Sequence, residues 1–314
     1  MLSLSDIANV VKSGKPVVWT MHDLWPAAAI CHLSLGCRRF TAQCGCCRYL
    51  PGGGSAGDLS ARIWKRKERL YQDSGIAFVA CSRWLEKEAK ESGLLRHQFL
   101  KSIPNPIDTR VFHPIDRAEA REAMSLPMDK HLILFVAQRA TNPYKGMNHL
   151  IAACRKMADE HPESIDTTAV VVIGQGADEI SQELPYRAIA LGYVSDEHSM
   201  ARIYSAADVF VLPSLSENLP NTIMEAMACG LPAVGFRVGG IPEEIDHQRT
   251  GYVAAYQDSD DLARGLYWTL FVADRDALGR SAVEKVHRNY SQSAVSVRYT
   301  EIYQQLIAQK LTHL

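Results

Sequence analysis

The sequence predicts an α/β fold in which parallel sheets are doubly wound by helices in two domains, and three observations carry this. Short β-branched runs alternate with amphipathic stretches along most of the chain. The runs are apolar on both faces, as strands buried between two helix layers must be. At about 100 to 200 residues per domain, 314 residues make two.

In chain order, residues 3–12 read as a helix leading into a strand at 16–20, and residues 58–73 as a helix. On that helix Arg62, Lys65, Arg66 and Arg69 share one stripe, with Leu59, Ile63 and Leu70 beside it. Strands are expected at 76–81 and 99–103. The stretch 103–114 carries three prolines, which remove backbone donors and disfavour helix before them, so it reads as an interdomain linker. From about Leu126, strands at 131–137, 168–173, 187–192, 208–212, 232–236 and 251–254 alternate with helices at 146–160, 196–207, 221–229 and 259–273. These make a complete doubly wound domain. Upstream there is about half of one, because the first crossover helix has no strand before it. A last helix, 290–313, carries Val295, Tyr299, Ile302, Tyr303 and Leu306 at helical spacing and needs an apolar surface to cover. The expected domains are therefore 1–115, incomplete and bearing a Cys-rich loop at 31–47; 116–290; and a helix 291–314 returning to the first.

Lys+Arg 34 against Asp+Glu 35 leaves a net charge of -1, which argues against bulk nucleic-acid binding. No run has the length and apolarity of a membrane span, and the start lacks the basic and apolar regions of an export signal, so a cytoplasmic protein is expected. Eight cysteines in such a chain are not a secreted disulfide framework. Cys81, Cys154 and Cys229 stand in apolar surroundings as small core residues. Cys31, Cys37, Cys44, Cys46 and Cys47 crowd together. Cys31, Cys37, Cys44 and Cys47 could supply four soft ligands to a structural zinc; ordinary reduced thiols are the alternative.

Chemistry concentrates in residues 213–230, PSLSENLPNTIMEAMACG, which follow a strand and place Glu217 and Glu225 with seven residues between them. Pro220 suits a first helical turn, so Glu217 lies in the strand-to-helix loop and Glu225 one turn into the helix. Both can face the crevice at the carboxyl ends of the strands, where open α/β sheets bind ligands, and the free N–H groups of the helix start favour a phosphate. A solvated loop and helix face is the alternative.

This segment resembles the E-x7-E motif of retaining GT-B glycosyltransferases, the large family that includes bacterial sugar transferases of surface polysaccharide assembly. Gly230-Leu-Pro-Ala-Val, Val238-Gly-Gly-Ile-Pro-Glu243 and Thr250-Gly-Tyr-Val follow in the family's order. The resemblance implies two Rossmann-like domains, the N-terminal one incomplete here. It implies transfer of a sugar, with retention, from a nucleotide-sugar donor to a saccharide or lipid-linked acceptor, with no cofactor or metal required for the chemistry. Glu217 is placed at the donor sugar and Glu225 at the ribose, and the donor-binding set extends over Asn221, Thr222, Gly146, Asn218 and Leu219.

The family's diphosphate clamp falls on Arg139 and Lys145. Lys145-Gly146 fits well, whereas Gln138 stands where the family often has Gly, leaving Arg139 a surface cation as the alternative. Trp19-Thr-Met-His-Asp-Leu-Trp-Pro26 resembles a His-Asp-x-Trp-Pro signature of one branch, which assigns His22 to the transferred sugar and leaves Asp23 to orient it. The Cys cluster resembles the same branch. The cationic helix stripe could meet anionic lipid at the inner face of the membrane or an acceptor's phosphate, with a solvated face as the alternative. A second function class is a truncated relative that binds a sugar nucleotide without turning it over.

Overall fold

The computed structural model describes residues 2–311, leaving out the side chains of Ser181 and Leu311. Its contacts divide the chain into two compact units, 1–104 with 295–314, and 105–294.

The first unit opens with helix α1 (Leu4–Lys12), started by a reciprocal capping box between Ser3 and Asp6. Strand β1 (Val17–Met21), helix α2 (Leu59–Tyr71), strand β2 (Ile76–Ala80), helix α3 (Arg83–Glu91) and strand β3 (Phe99–Ser102) follow. The three strands pair in the order β1-β2-β3, all parallel, with Val17 opposite Ile76 and Phe78 opposite Leu100. All of β2 is buried, which explains its unbroken apolar run.

The second unit runs through α4 (Arg117–Ala123), β4 (His131–Arg139), α5 (Met147–Glu160), β5 (Thr168–Gln175), α6 (Ala177–Ser181), β6 (Arg187–Gly192) and α7 (Glu197–Ala206). It continues through β7 (Val209–Leu212), α8 (Asn221–Ala228), β8 (Ala233–Phe236), α9 (Ile241–Glu244), β9 (Gly251–Ala254), α10 (Ser259–Tyr267) and α11 (Arg275–Asn289). Its six strands are parallel in the order β6-β5-β4-β7-β8-β9. The order reverses between β4 and β7, the switch point at which doubly wound sheets leave a crevice. One core, including Phe135, Leu150, Val172, Val211, Phe236 and Leu266, binds the sheet to α5 and α10.

Helix α12 (Gln292–Leu311) belongs with the first unit from Val295 onward. Val295 and Ile302 are buried against Val79 and Ile103, with Tyr299 and Leu306 packed beside them. Tyr303 departs from the expected apolar face: being next to Ile302, it turns outward and is 48% exposed. Residue 313, the expected end of this helix, lies outside the described residues.

The segment 105–115 packs with the second unit rather than the first: Ile107 N–H donates to Tyr290 O and the Phe112 ring meets Tyr204 edge-on. Helix α10 ends at Tyr267 and passes into a π-helical turn over Trp268–Val272, short of the expected uniform helix to Ala273. Among the described residues no helix is long and apolar enough to cross a membrane.

Candidate functional site

In the second unit the loops after β4 and β7 meet at the switch point. Gly146 adopts φ +73, and a Cβ there would lie 1.8 Å from the carbonyl oxygen of Pro213, so only glycine permits this approach. Leu215 N–H donates to Tyr144 O at 2.9 Å, and the Tyr256 hydroxyl donates to Leu215 O at 3.0 Å. Between these loops Lys145 Nζ and Glu217 Oε1 form an ion pair at 2.5 Å, the carboxylate side chain only 13% exposed. The backbone of Glu217 is held from behind: Gly239 packs on its carbonyl with φ +56, and Gly240 N–H donates to Asn218 O at 2.6 Å.

Two helices start here, α5 at Gly146 and α8 after Pro220, and neither has a side-chain cap; the short helices α6 and α9 also lack one, whereas side chains cap α1, α2, α3, α4, α7, α10 and α11. Helices α5 and α8 follow the two central strands of the sheet, so their first N–H groups and the Lys145 ammonium share the switch point, a combination suited to an anion such as a diphosphate. Asn221 and Thr222 occupy the start of α8, where Asn105 Nδ2 donates to Asn221 Oδ1 at 2.9 Å, and Leu219 is buried just before it.

Glu225 lies one turn into α8 with its carboxylate accepting the Tyr204 hydroxyl of α7 at 3.0 Å. Burial pushes its pKa up, the Tyr204 bond opposes that, and Glu197 adds to the rise. Arg139 ends β4, exposed, with no side-chain hydrogen bond or ion pair among the described residues. Lys145, not Arg139, therefore contacts the glutamate loop.

Sequence reasoning missed Tyr204, the glycine brace at Gly239 and one further group. Glu244 of α9 is fully buried, and neither of its carboxylate oxygens has a hydrogen-bond partner among the described residues. Burial, then the charge of Glu217, raises its pKa well above the carboxylate range, with Lys285 opposing.

In the first unit His22 follows β1 directly and is exposed. Asp23 is half-buried and engaged locally: its Oδ1 accepts Trp25 N–H at 2.7 Å and its Oδ2 meets Nδ1 of the exposed His32 at 2.6 Å. A mostly apolar cavity of about 430 Å³ runs along β1 and includes His22, Asp23 and His32 in its lining.

Cys31, Cys37, Cys44, Cys46 and Cys47 line a second cavity of about 330 Å³. Among the described residues no three His, Cys, Asp or Glu side chains are placed to hold a metal ion, so the expected zinc set at Cys31, Cys37, Cys44 and Cys47 does not fit this geometry. Burial pushes the Cys44 thiol up to about 11 and raises Cys31, which favours protonated thiols over thiolates. The three isolated cysteines, Cys81, Cys154 and Cys229, are buried as expected.

Residues 130–270 match the family model described as Glycosyl transferases group 1. D-inositol 3-phosphate glycosyltransferase 2 of Catenulispora acidiphila is 32% identical over 219 residues, covering 66% of this chain and 51% of that protein. The chain thus spans about half the length of this curated relative. Sucrose-phosphate synthase of Thermosynechococcus elongatus superposes with a TM-score of 0.67 at 25% identity, over 79% of this chain and 62% of that one. Anabaena HepE in complex with UDP-glucose superposes with a TM-score of 0.67 at 18% identity, over 99% and 77%.

Proposed function

We propose that this chain, whose residues 130–270 match the glycosyl transferases group 1 model and whose fold is GT-B, is a transferase of that family and moves a sugar from a nucleoside diphosphate donor to a saccharide or lipid-linked acceptor with retention. Assembly of a bacterial surface polysaccharide is the setting. The Lys145–Glu217 pair between two uncapped helix starts carries this reading. An arriving diphosphate competes with Glu217 for the ammonium and draws on the N–H groups of Asn221 and Thr222. The freed Glu217 can then accept from hydroxyls of the donor sugar. Glu225, already oriented by Tyr204, accepts from the ribose. Gly146, Asn218 and Leu219 shape the loops around them, while Arg139 is free to reach a distal phosphate oxygen. His22 is assigned to the transferred sugar by its sequence signature. The departing phosphate takes the acceptor's proton, so the chemistry asks for neither a separate base nor a metal.

On α2 the cations Arg62, Lys65, Arg66 and Arg69 are exposed and carry no ion pair among the described residues. They suit the phosphate of a lipid-linked acceptor or an anionic membrane surface. Cosedimentation with phosphatidylglycerol vesicles, lost when Arg66 and Arg69 become Glu, checks that contact.

A second reading is donor binding without turnover, in which the Lys145–Glu217 pair and Glu225 hold a sugar nucleotide that is not transferred. A melting panel of UDP-, GDP- and ADP-sugars, followed by assay for released nucleoside diphosphate, separates the two. Selective stabilisation with release supports transfer; stabilisation without release at any acceptor supports the second reading.

A further inference from the structure

Helix α2 buries a lysine. Its inward line is Ser60, Trp64, Lys67 and Tyr71, and Lys67 is 0% exposed. An unpaired ammonium taken out of water is costly, so what Lys67 touches is informative. Its Nζ donates to Ala28 O at 2.8 Å and to Trp25 O, and lies 3.6 Å from the centroid of the Trp25 ring. Tyr71, one turn on, donates its hydroxyl to Pro26 O at 3.2 Å, and Ser92 Oγ donates to Ala27 O at 2.5 Å.

Four consecutive carbonyls, from Trp25 to Ala28, are thus each taken by a buried side-chain donor. The same segment is fastened at its front by Asp23, through Trp25 N–H and His32. Leu24 N–H donates to His32 O, and Ala27 and Ala28 N–H donate to Leu24 O. His22 stands immediately before this clamped stretch. The charged and titratable groups facing Lys67 are Asp23, Cys44 and Cys31, and burial lowers its pKa to about 7 against their pull.

We propose that Lys67 is a positioning residue: by holding the carbonyls of Trp25 and Ala28 it fixes the loop that presents His22 and Asp23, and so sustains turnover without contributing to nucleotide binding. The effect on turnover rests on the reading that His22 serves the transferred sugar; the clamp itself does not.

The test compares the full chain with Lys67→Met, which keeps the stem and removes the charge, and Lys67→Arg, which keeps a cation. Amide exchange in Lys67→Met should be about tenfold or more faster at Leu24, Trp25, Ala27 and Ala28, with β2 unchanged. Binding of UDP, GDP or ADP, whichever the parent takes, should stay within about twofold. For the donor that stabilises the parent, kcat should fall about tenfold or more with KM within about threefold, and Lys67→Arg should restore most of kcat. Unchanged exchange in Lys67→Met overturns the clamp while leaving the donor site as read. Faster exchange with parental kcat refutes the role of the His22 loop in transfer, and the proposal with it. If Lys67→Met gives no cooperative melt, Lys67→Arg decides: parental exchange at these amides and near-parental kcat support the clamp by charge, and loss of either overturns it.

Discussion

Gly239→Ala tests whether the glutamate loop is held by backbone contact. A Cβ at this position would lie 1.8 Å from Glu217 O and 2.7 Å from Glu217 C, whereas real contacts essentially never fall under 3.0 Å. The two loops must part by at least about 1.2 Å, and the obstacle is backbone, which cannot rotate aside. The alanine also inherits φ +56, a left-handed conformation costing ~1–2 kcal/mol for a residue with a Cβ. Overpacking of this kind adds roughly 1–3 kcal/mol, so a total near ~3 kcal/mol is expected. For a unit of this size that is a Tm lower by roughly 6–12 °C. The same displacement moves Glu217 off Lys145 and stretches the Gly240 to Asn218 bond, and a misplacement of ~1 Å costs about a hundredfold in rate. Calorimetry and initial rates on the purified variant decide. A Tm within ~2 °C of the parent, with kcat within about threefold, refutes the brace.

Lys145→Ala should lower kcat/KM by about a hundredfold and Arg139→Ala by less than about tenfold, since only Lys145 contacts Glu217; steady-state kinetics check the order. Tyr204→Phe removes a donor to Glu225 and lets its pKa rise further, so nucleotide affinity should fall about tenfold near pH 7 and recover as pH increases; titration calorimetry at two pH values reads this. Glu244→Leu should stabilise the protein. Its folded pKa lies above the ordinary 4.5, so folding takes up a proton and the parent loses stability as pH rises from 4.5 toward the folded value. The variant should therefore melt higher by roughly 4–8 °C at pH 8, about 2 kcal/mol, with the gap closing below pH 4.5.

Most of the architecture was legible because parallel strands advertise themselves. Strands β6 and β9 have the expected limits, and the others shift by a residue or two at their ends, where hydrogen bonding rather than side-chain pattern sets the boundary. The glutamate spacing and the Lys-Gly pair likewise pointed to the loops that meet. What sequence could not show is pairing across the fold. Lys145 with Glu217 and Tyr204 with Glu225 are tertiary contacts with no local periodicity to announce them. On α2 the charge pattern misled in a specific way. Leu59, which the spacing sets beside the cationic stripe with Ile63 and Leu70, is 45% exposed, while the buried line runs through Trp64, Lys67 and Tyr71. A lysine three residues after one aromatic and four before another was the available sign, because those spacings share one helix face. The cysteine spacing is compatible with zinc on paper, yet spacing alone does not set where thiols point.

On the proposed reading, the second unit binds a nucleoside diphosphate sugar through Lys145, Glu217 and Glu225. Titration calorimetry of UDP-, GDP- and ADP-sugars into the parent and into Glu225→Ala tests it most directly. One donor class should bind the parent, and Glu225→Ala should weaken that binding by about tenfold or more while the protein stays folded. Equal affinity in the two proteins, or no binding of any of the sugar nucleotides to the parent, would contradict it.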